Sequence, residues 1–359
     1  MQVLDQRWSF GGADSAVTSG DGTFLPGWLL VSSQKAVADG WWRPSGEQHR
    51  TLPVPLLTDV AAVDDRGGTY ILQPTGMSSG TDHPDREAWP QTLEVQLDPP
   101  PARGTGWIEF RGRDGTTARL LPSPRSAARV SPLTPVAASQ AERELLRHAQ
   151  SLLAWTQSSS ADAEMMAPRV RRSRAEILRQ AASMLQSGEL DPASPVPGQI
   201  AALCDALLDR RVTGGLPAGW AGMLTAAGRR DGRVLHLDLG VTLPTVQGMT
   251  LRLDTLISAA DSWRLCWQAT PGWYVYGEPG EDGRREAREV FSVSAEDDRG
   301  GAYISAQRLN RPISRRGRET RDHDEHCLSF RPRLDPLAGT VRLTFRGTDQ
   351  EAQVTISLR

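Results

Sequence analysis

Val63-Asp64-Asp65-Arg66-Gly67-Gly68-Thr69-Tyr70-Ile71 returns later in the chain as Glu296-Asp297-Asp298-Arg299-Gly300-Gly301-Ala302-Tyr303-Ile304. A nine-residue stretch repeated at long range marks a duplicated module. Each copy reads as a hairpin. An acidic residue opens the turn, Gly supplies positive φ, and Tyr begins the return strand. Working outward, other landmarks keep one order. Gly104-Thr105 and Phe110-Arg111-Gly112 match Gly339-Thr340 and Phe345-Arg346-Gly347. Leu93-Glu94-Val95 matches Leu328-Ser329-Phe330, Trp28 matches Trp263, and Trp41-Trp42 falls near Trp273-Tyr274.

Around these landmarks the apolar residues alternate. Leu235/Leu237/Leu239, Trp263/Leu265/Trp267, Val341/Leu343/Phe345 and Val354/Ile356/Leu358 all follow a period of two, as do Leu93/Val95/Leu97 in the first copy. That period marks strands with one buried face. Between the copies the period changes to that of a helix. Ser139 and Glu142 form a capping box ahead of Leu145, Leu146, Ala149, Leu152 and Leu153, and Ser173 and Glu176 form a second. A third stripe runs Ile200, Leu203, Cys204, Leu207 and Leu208, and Pro217 is placed to open a fourth helix. The expected fold is mainly β with an α-helical insert: two immunoglobulin-like antiparallel β-sandwiches flanking a small helical region. Its expected parts are an N-terminal sandwich (1–131), a helical middle (132–232) and a C-terminal sandwich (233–359).

The two hairpins resemble those of bacterial immunoglobulin-like β-sandwich modules that carry an Asp-Asp-x-Gly-x-x-Tyr element. Asp64, Asp65, Gly67 and Tyr70 fit that spacing, and so do Asp297, Asp298, Gly300 and Tyr303. The stretch from Leu216 through Gly232 into the second copy is similar to uncharacterised proteins of GC-rich bacteria. The resemblance implies a fold and not an activity, because sandwiches host many unrelated functions.

Composition narrows the classes of function. The 359 residues carry a net charge of −2, with 40 Arg against the single Lys35. Such a balance gives no general attraction to nucleic acid or an anionic membrane. No apolar run reaches membrane-spanning length, and Met1–Phe10 contains an acid and no apolar core of an export signal. Three cysteines (204, 266 and 327) far apart with no Cys-x-x-Cys read as reduced thiols in a reducing compartment. The expected location is cytoplasmic.

Several clusters suggest chemistry. Asp322, His323, Asp324 and His326 form the densest group of metal-ligand types, the alternative being a solvated loop. The paired aspartates of each hairpin are the kind of oxygen donors that Ca²⁺ uses, yet they leave most of its six to eight ligands unsupplied. Gly76-Met77-Ser78-Ser79-Gly80 matches the letters of a nucleophile elbow without the strand-turn-helix setting that motif needs. Arg169, Arg171, Arg172, Arg174 and Arg179 are basic, but acids balance them across the helical middle. Adjacent residues on a strand face opposite sides. In Trp41-Trp42 and in Trp273-Tyr274-Val275-Tyr276, then, one ring of each neighbouring pair faces away from the core. Outward aromatics are enriched at contact surfaces.

The expectation is a non-enzymatic, cytoplasmic protein-binding or scaffold protein, with Trp41, Trp42, Trp273, Tyr274 and Tyr276 as its partner contacts. No cofactor is implied. The partner is another protein, with a homo-oligomer left open and nucleic acid and membrane disfavoured. The alternatives are a carbohydrate-binding protein that stacks sugars on the same rings, and a metal-dependent hydrolase at His323 and His326.

Overall fold

The structure is a computed structural model that describes residues 7–45, 56–78, 88–136, 139–158, 163–208, 235–258, 263–270, 274–276, 287–289, 291–306, 324–331 and 333–359. The protein is mainly β, with antiparallel sheets and three helices among the described residues. It divides into two compact units, neither continuous in sequence. The first is Met1–Ser126 with Arg230–Val241 and Arg252–Asp261; the second is Ala127–Arg229, Thr242–Leu251 and Ser262–Arg359.

The first unit contains β1 (Trp8–Gly11), β2 (Val17–Ser19), β3 (Gly22–Val31), β4 (Ala36–Pro44), β5 (Val60–Asp64), β6 (Thr69–Ser78), β7 (Gln91–Asp98), β8 (Ile108–Gly112) and β9 (Thr117–Pro122). Their order is β1-β9-β8-β5-β6-β7-β4-β3-β2, and β1 also pairs with β3. Pairing therefore closes into a ring of eight strands, with β2 attached to β3 outside it. This differs from the expected sandwich, whose two sheets keep free edges. Here Trp8–Gly11 bonds to neighbours on both sides, and closure removes the edges. Bulges at Pro26/Trp28 and Pro74/Gly76 break the register where proline cannot donate to the ladder. An eight-stranded ring is just wide enough for side chains to fill it. Phe10, Phe24, Trp42, Leu93, Val95, Leu97 and Phe110 do so, with Phe24 and Phe110 edge to face at 5.8 Å.

In the second unit β14 (Trp263–Thr270), β17 (Ser292–Asp297), β18 (Ala302–Ala306), β19 (Asp324–Arg331), β20 (Thr340–Arg346) and β21 (Gln350–Ser357) follow the path β21-β20-β17-β18-β19-β14. The first unit has the same path in β9-β8-β5-β6-β7-β4. The proline-bearing segment after β9 forms β10 (Ala128–Val130) and β11 (Thr134–Pro135), and both pair with β21. Trp263 stacks on Phe330 at 4.2 Å, and Trp267 meets Phe345 edge to face at 6.2 Å.

The common path corrects the sequence matching. Trp263 pairs with Phe330 as Ala36 pairs with Leu97. Trp263 therefore takes the place of Ala36, and Trp28 lies one strand earlier, on β3. Leu343 pairs with Ala295 as Phe110 pairs with Ala62, so Phe345 is not the counterpart of Phe110. The connections after β4 and after β14 differ in length, and a constant offset fails across them.

The helices are α1 (Gln140–Ser158), α2 (Ala163–Ser187) and α3 (Val196–Leu208). The first capping box forms as read: Glu142 N–H donates to Ser139 Oγ at 3.1 Å, and Ser139 N–H to Glu142 Oε2 at 3.1 Å. The second does not cap. The helix begins at Ala163, carried by strong helix formers in Ala163-Glu164-Met165-Met166-Ala167, and continues through Pro168. Leu145, Ala149, Val170, Ile177, Ile200, Leu203 and Cys204 form the core of this bundle. The fourth helix expected at Pro217 lies outside the described residues. No helix among the described residues is long and apolar enough to cross a membrane.

The cysteine reading is also corrected. Cys266 on β14 and Cys327 on β19 face each other in the register and form a disulfide, while Cys204 is a buried free thiol. Residues 61 apart in sequence become direct neighbours through strand pairing, which spacing alone does not reveal. Cysteine usage thus no longer argues for a reducing compartment.

Candidate functional site

Both hairpins are saturated with internal hydrogen bonds. Asp64 Oδ1 accepts from the Arg66 and Gly68 amides at 2.9 and 2.6 Å, and its Oδ2 accepts from the Tyr70 hydroxyl at 2.5 Å. Asp297 repeats this with Arg299, Gly301 and Tyr303 at 2.9, 2.7 and 2.5 Å. Gly67 and Gly300 hold φ of 81° and 82°, the left-handed region that glycine tolerates. The second aspartates tie the turn to the following loop: Asp65 accepts from Gly106 N–H at 2.9 Å and Asp298 from Gly339 N–H at 3.0 Å. Gly339 is therefore the counterpart of Gly106 and not of Gly104. Burial pushes the Asp64 carboxyl up, but donation from Tyr70, Gly68 and Arg66 outweighs it and holds the group below its ordinary value. Burial first, then the bond to the carboxylate, raises the hydroxyls of Tyr70 and Tyr303. These oxygens are already committed to the turn, and among the described residues no three metal-ligand side chains cluster.

The expected metal loop falls partly outside the description. Asp322 and His323 lie beyond the described residues. Asp324 and His326 lie on β19, opposite Ala269 and Trp267. Cys327 beside them is in the disulfide and offers no thiolate. Ser78 of the elbow-like motif ends β6, an antiparallel strand paired with β7.

The aromatic pairs separate. Trp42 is 2% exposed in the core of the first ring, so it is not a surface contact. Trp41 is half-buried on the opposite face of β4, as alternation requires. Its ring end lies 3.2 Å from where a Cβ on Gly27 would stand, so the bulge of β3 leaves it room. Leu25 on β3 and Thr92 on β7 are its cross-strand neighbours, both half-buried. Two residues along β4, exposed Arg43 holds its guanidinium 5.4 Å from the ring centroid of half-buried Trp89. Leu25, Trp41, Arg43 and Trp89 thus mark one outward face of the sheet. Tyr274 and Tyr276 are on β15 (Tyr274–Tyr276), paired with β16 (Ala287–Glu289); Trp273 lies outside the described residues.

Two features were not foreseen. One is a cleft of about 460 Å³ between α1 and α2, with Leu152 and Ile177 as its apolar part and His148, Arg169 and Glu176 among its polar lining. His148 Nδ1 meets Gln180 Oε1 at 3.0 Å, and Gln180 Nε2 donates to Glu144 at 2.8 Å. The helical periods revealed the buried stripes, but which polar side chains flank a gap depends on how two helices cross.

The other is His236 on β12 (Leu235–Thr242). It is 9% exposed, its ring stacks on Trp28 at 6.4 Å, and its Nδ1 is hydrogen-bonded to the Ser123 hydroxyl. Burial lowers its pKa to about 3, so the ring is neutral. Taking a proton from Ser123 would create a buried imidazolium, which the same desolvation opposes. The pair is therefore a hydrogen bond that holds the ring and not an activated nucleophile. In the unfolded chain the ring titrates near the ordinary value of about 6.5. The unfolded state thus binds more protons between about pH 6.5 and 3, so stability is lost as the pH is lowered through that window. The limiting slope is about 1.4 kcal/mol per pH unit. Urea melts at several pH values should show His236→Gln losing much of this slope; equal slopes in the two proteins would exclude the assignment.

No protein-family model matches the chain, and no curated protein matches it. Among solved structures, the crystal structure of the conserved domain protein from Bacillus anthracis matches at 7% identity with a TM-score of 0.24, over 94% of this chain and 77% of that one. A likeness at that score carries no argument about fold or function.

Proposed function

We propose that the chain is a non-enzymatic protein-binding or scaffold protein built on a tandem duplication of one β module. The outward face of β3, β4 and β7 is its contact surface. The observation that carries this reading is the set of Leu25, Trp41, Arg43 and Trp89 on one sheet face. Trp and Arg are the residue types that dominate binding energy at protein interfaces, where aromatic and guanidinium groups lose water together. The paths β9-β8-β5-β6-β7-β4 and β21-β20-β17-β18-β19-β14 support the duplication.

The test is affinity capture from native lysate with the wild-type chain and with Trp41→Ala, each shown to be folded by circular dichroism. The expected result is one protein enriched to near-stoichiometric amount by the wild type and depleted at least tenfold by Trp41→Ala. That loss corresponds to about 1.4 kcal/mol or more at a single contact. An identical captured set with both proteins would overturn the assignment of this face. A change in tryptophan fluorescence with an oligosaccharide panel, absent in Trp41→Ala, would replace the protein partner with a sugar.

A further inference from the structure

We propose that the Cys266–Cys327 disulfide is a thiol-exchange site whose reactive sulfur is that of Cys327, and whose co-reactant is a dithiol reductant. Two strands hold the pair, but its members differ in access. Cys266 is 1% exposed on β14, whereas Cys327 is exposed on β19. Exchange requires a thiolate to reach a disulfide sulfur, so access selects Cys327.

The counterpart positions in the first copy carry Asp39 and Glu94, which face each other across β4 and β7. Glu94 is exposed there as Cys327 is here. The module therefore closes without a covalent bond at this position, and the disulfide is an addition to the second copy. The bond also ties β14 directly to β19, whose residues Ser329 and Phe330 pair with both β14 and β18.

The chemistry balances as follows. A thiolate of the dithiol attacks Cys327 Sγ, the Cys266–Cys327 bond breaks, and Cys266 leaves as a thiolate that takes up a proton. The second thiolate of the reductant attacks the reductant's own sulfur in the mixed disulfide and expels Cys327, which is protonated in turn. Two electrons and two protons pass from the dithiol to the protein, and the dithiol is oxidised to a disulfide.

The experiment treats the folded full-length chain with graded dithiothreitol in native buffer, alkylates with excess N-ethylmaleimide in the same buffer, and maps the adducts by mass spectrometry. Cys204, which is fully buried, is the internal control. The expected result is joint modification of Cys266 and Cys327 at reductant concentrations that leave Cys204 unmodified. With glutathione in place of the dithiol, the mixed disulfide should be found on Cys327 and not on Cys266. The proposal is overturned if both cysteines react only at the denaturant concentration that exposes Cys204. It is equally overturned if both are alkylated before any reductant is added. Cys266→Ser provides a second check, since it should leave Cys327 open to rapid alkylation in the folded protein.

Discussion

Asp297→Ala is expected to cost on the order of 3–5 kcal/mol of unfolding free energy in the second unit. The carboxylate accepts three hydrogen bonds, from Arg299 N–H, Gly301 N–H and the Tyr303 hydroxyl. Removing it leaves three donors without that acceptor, and Tyr303 is 4% exposed with its ring edge on Trp263 at 5.5 Å. Burying an unsatisfied donor costs more than an average hydrogen bond contributes, which is why the loss exceeds a simple count. The Tyr303 hydroxyl also accepts from Asp335 N–H at 3.1 Å, so the following loop loosens with it. Urea unfolding followed by tryptophan fluorescence measures this. Asp297→Asn should recover part of the loss by keeping an acceptor, and a shift below about 1 kcal/mol for Asp297→Ala would show that the turn stands without the carboxylate.

Trp42→Ala and Trp41→Ala should diverge although the two residues are adjacent. Trp42 fills the first ring beside Phe24 and Phe110, and truncating a fully buried Trp leaves a cavity costing about 3–5 kcal/mol. Trp41 lies on the other side of the strand, half in solvent, and its truncation should cost less than about 1 kcal/mol. Thermal melts of both variants decide the matter. Equal destabilisation would mean that the outward face of β4 is not an outward face.

How much of this was legible follows from the range of each interaction. The hairpins could be read because their parts lie within seven residues: Asp64 reaches Gly68 and Tyr70 through a turn whose glycines are written in the sequence. The first helix start was legible for the same reason, since Ser139 and Glu142 bond to each other. Strand character in both units followed from alternation, which set one ring of Trp41-Trp42 outward without saying which. Closure of the first ring could not be read, because it depends on four residues of β1 finding both β3 and β9. Neither could the disulfide, or the contact of Ser123 with His236, which strand pairing and chain folding bring together across long separations. The helix α2 was misread at its start because a capping pattern inside a helix looks the same as one at its end.

The two units also finish at different moments of synthesis. All eight strands of the first ring lie between Trp8 and Pro122, so the ring can close while the rest of the chain is still being made. In the second unit, β10 and β11 pair with β21, which leaves the ribosome long after them. Residues 128–135 therefore wait for that partner while everything between them and Gln350 is made. The proline of β11 and Arg129 on β10 suit a segment that must stay solvated until its partner arrives.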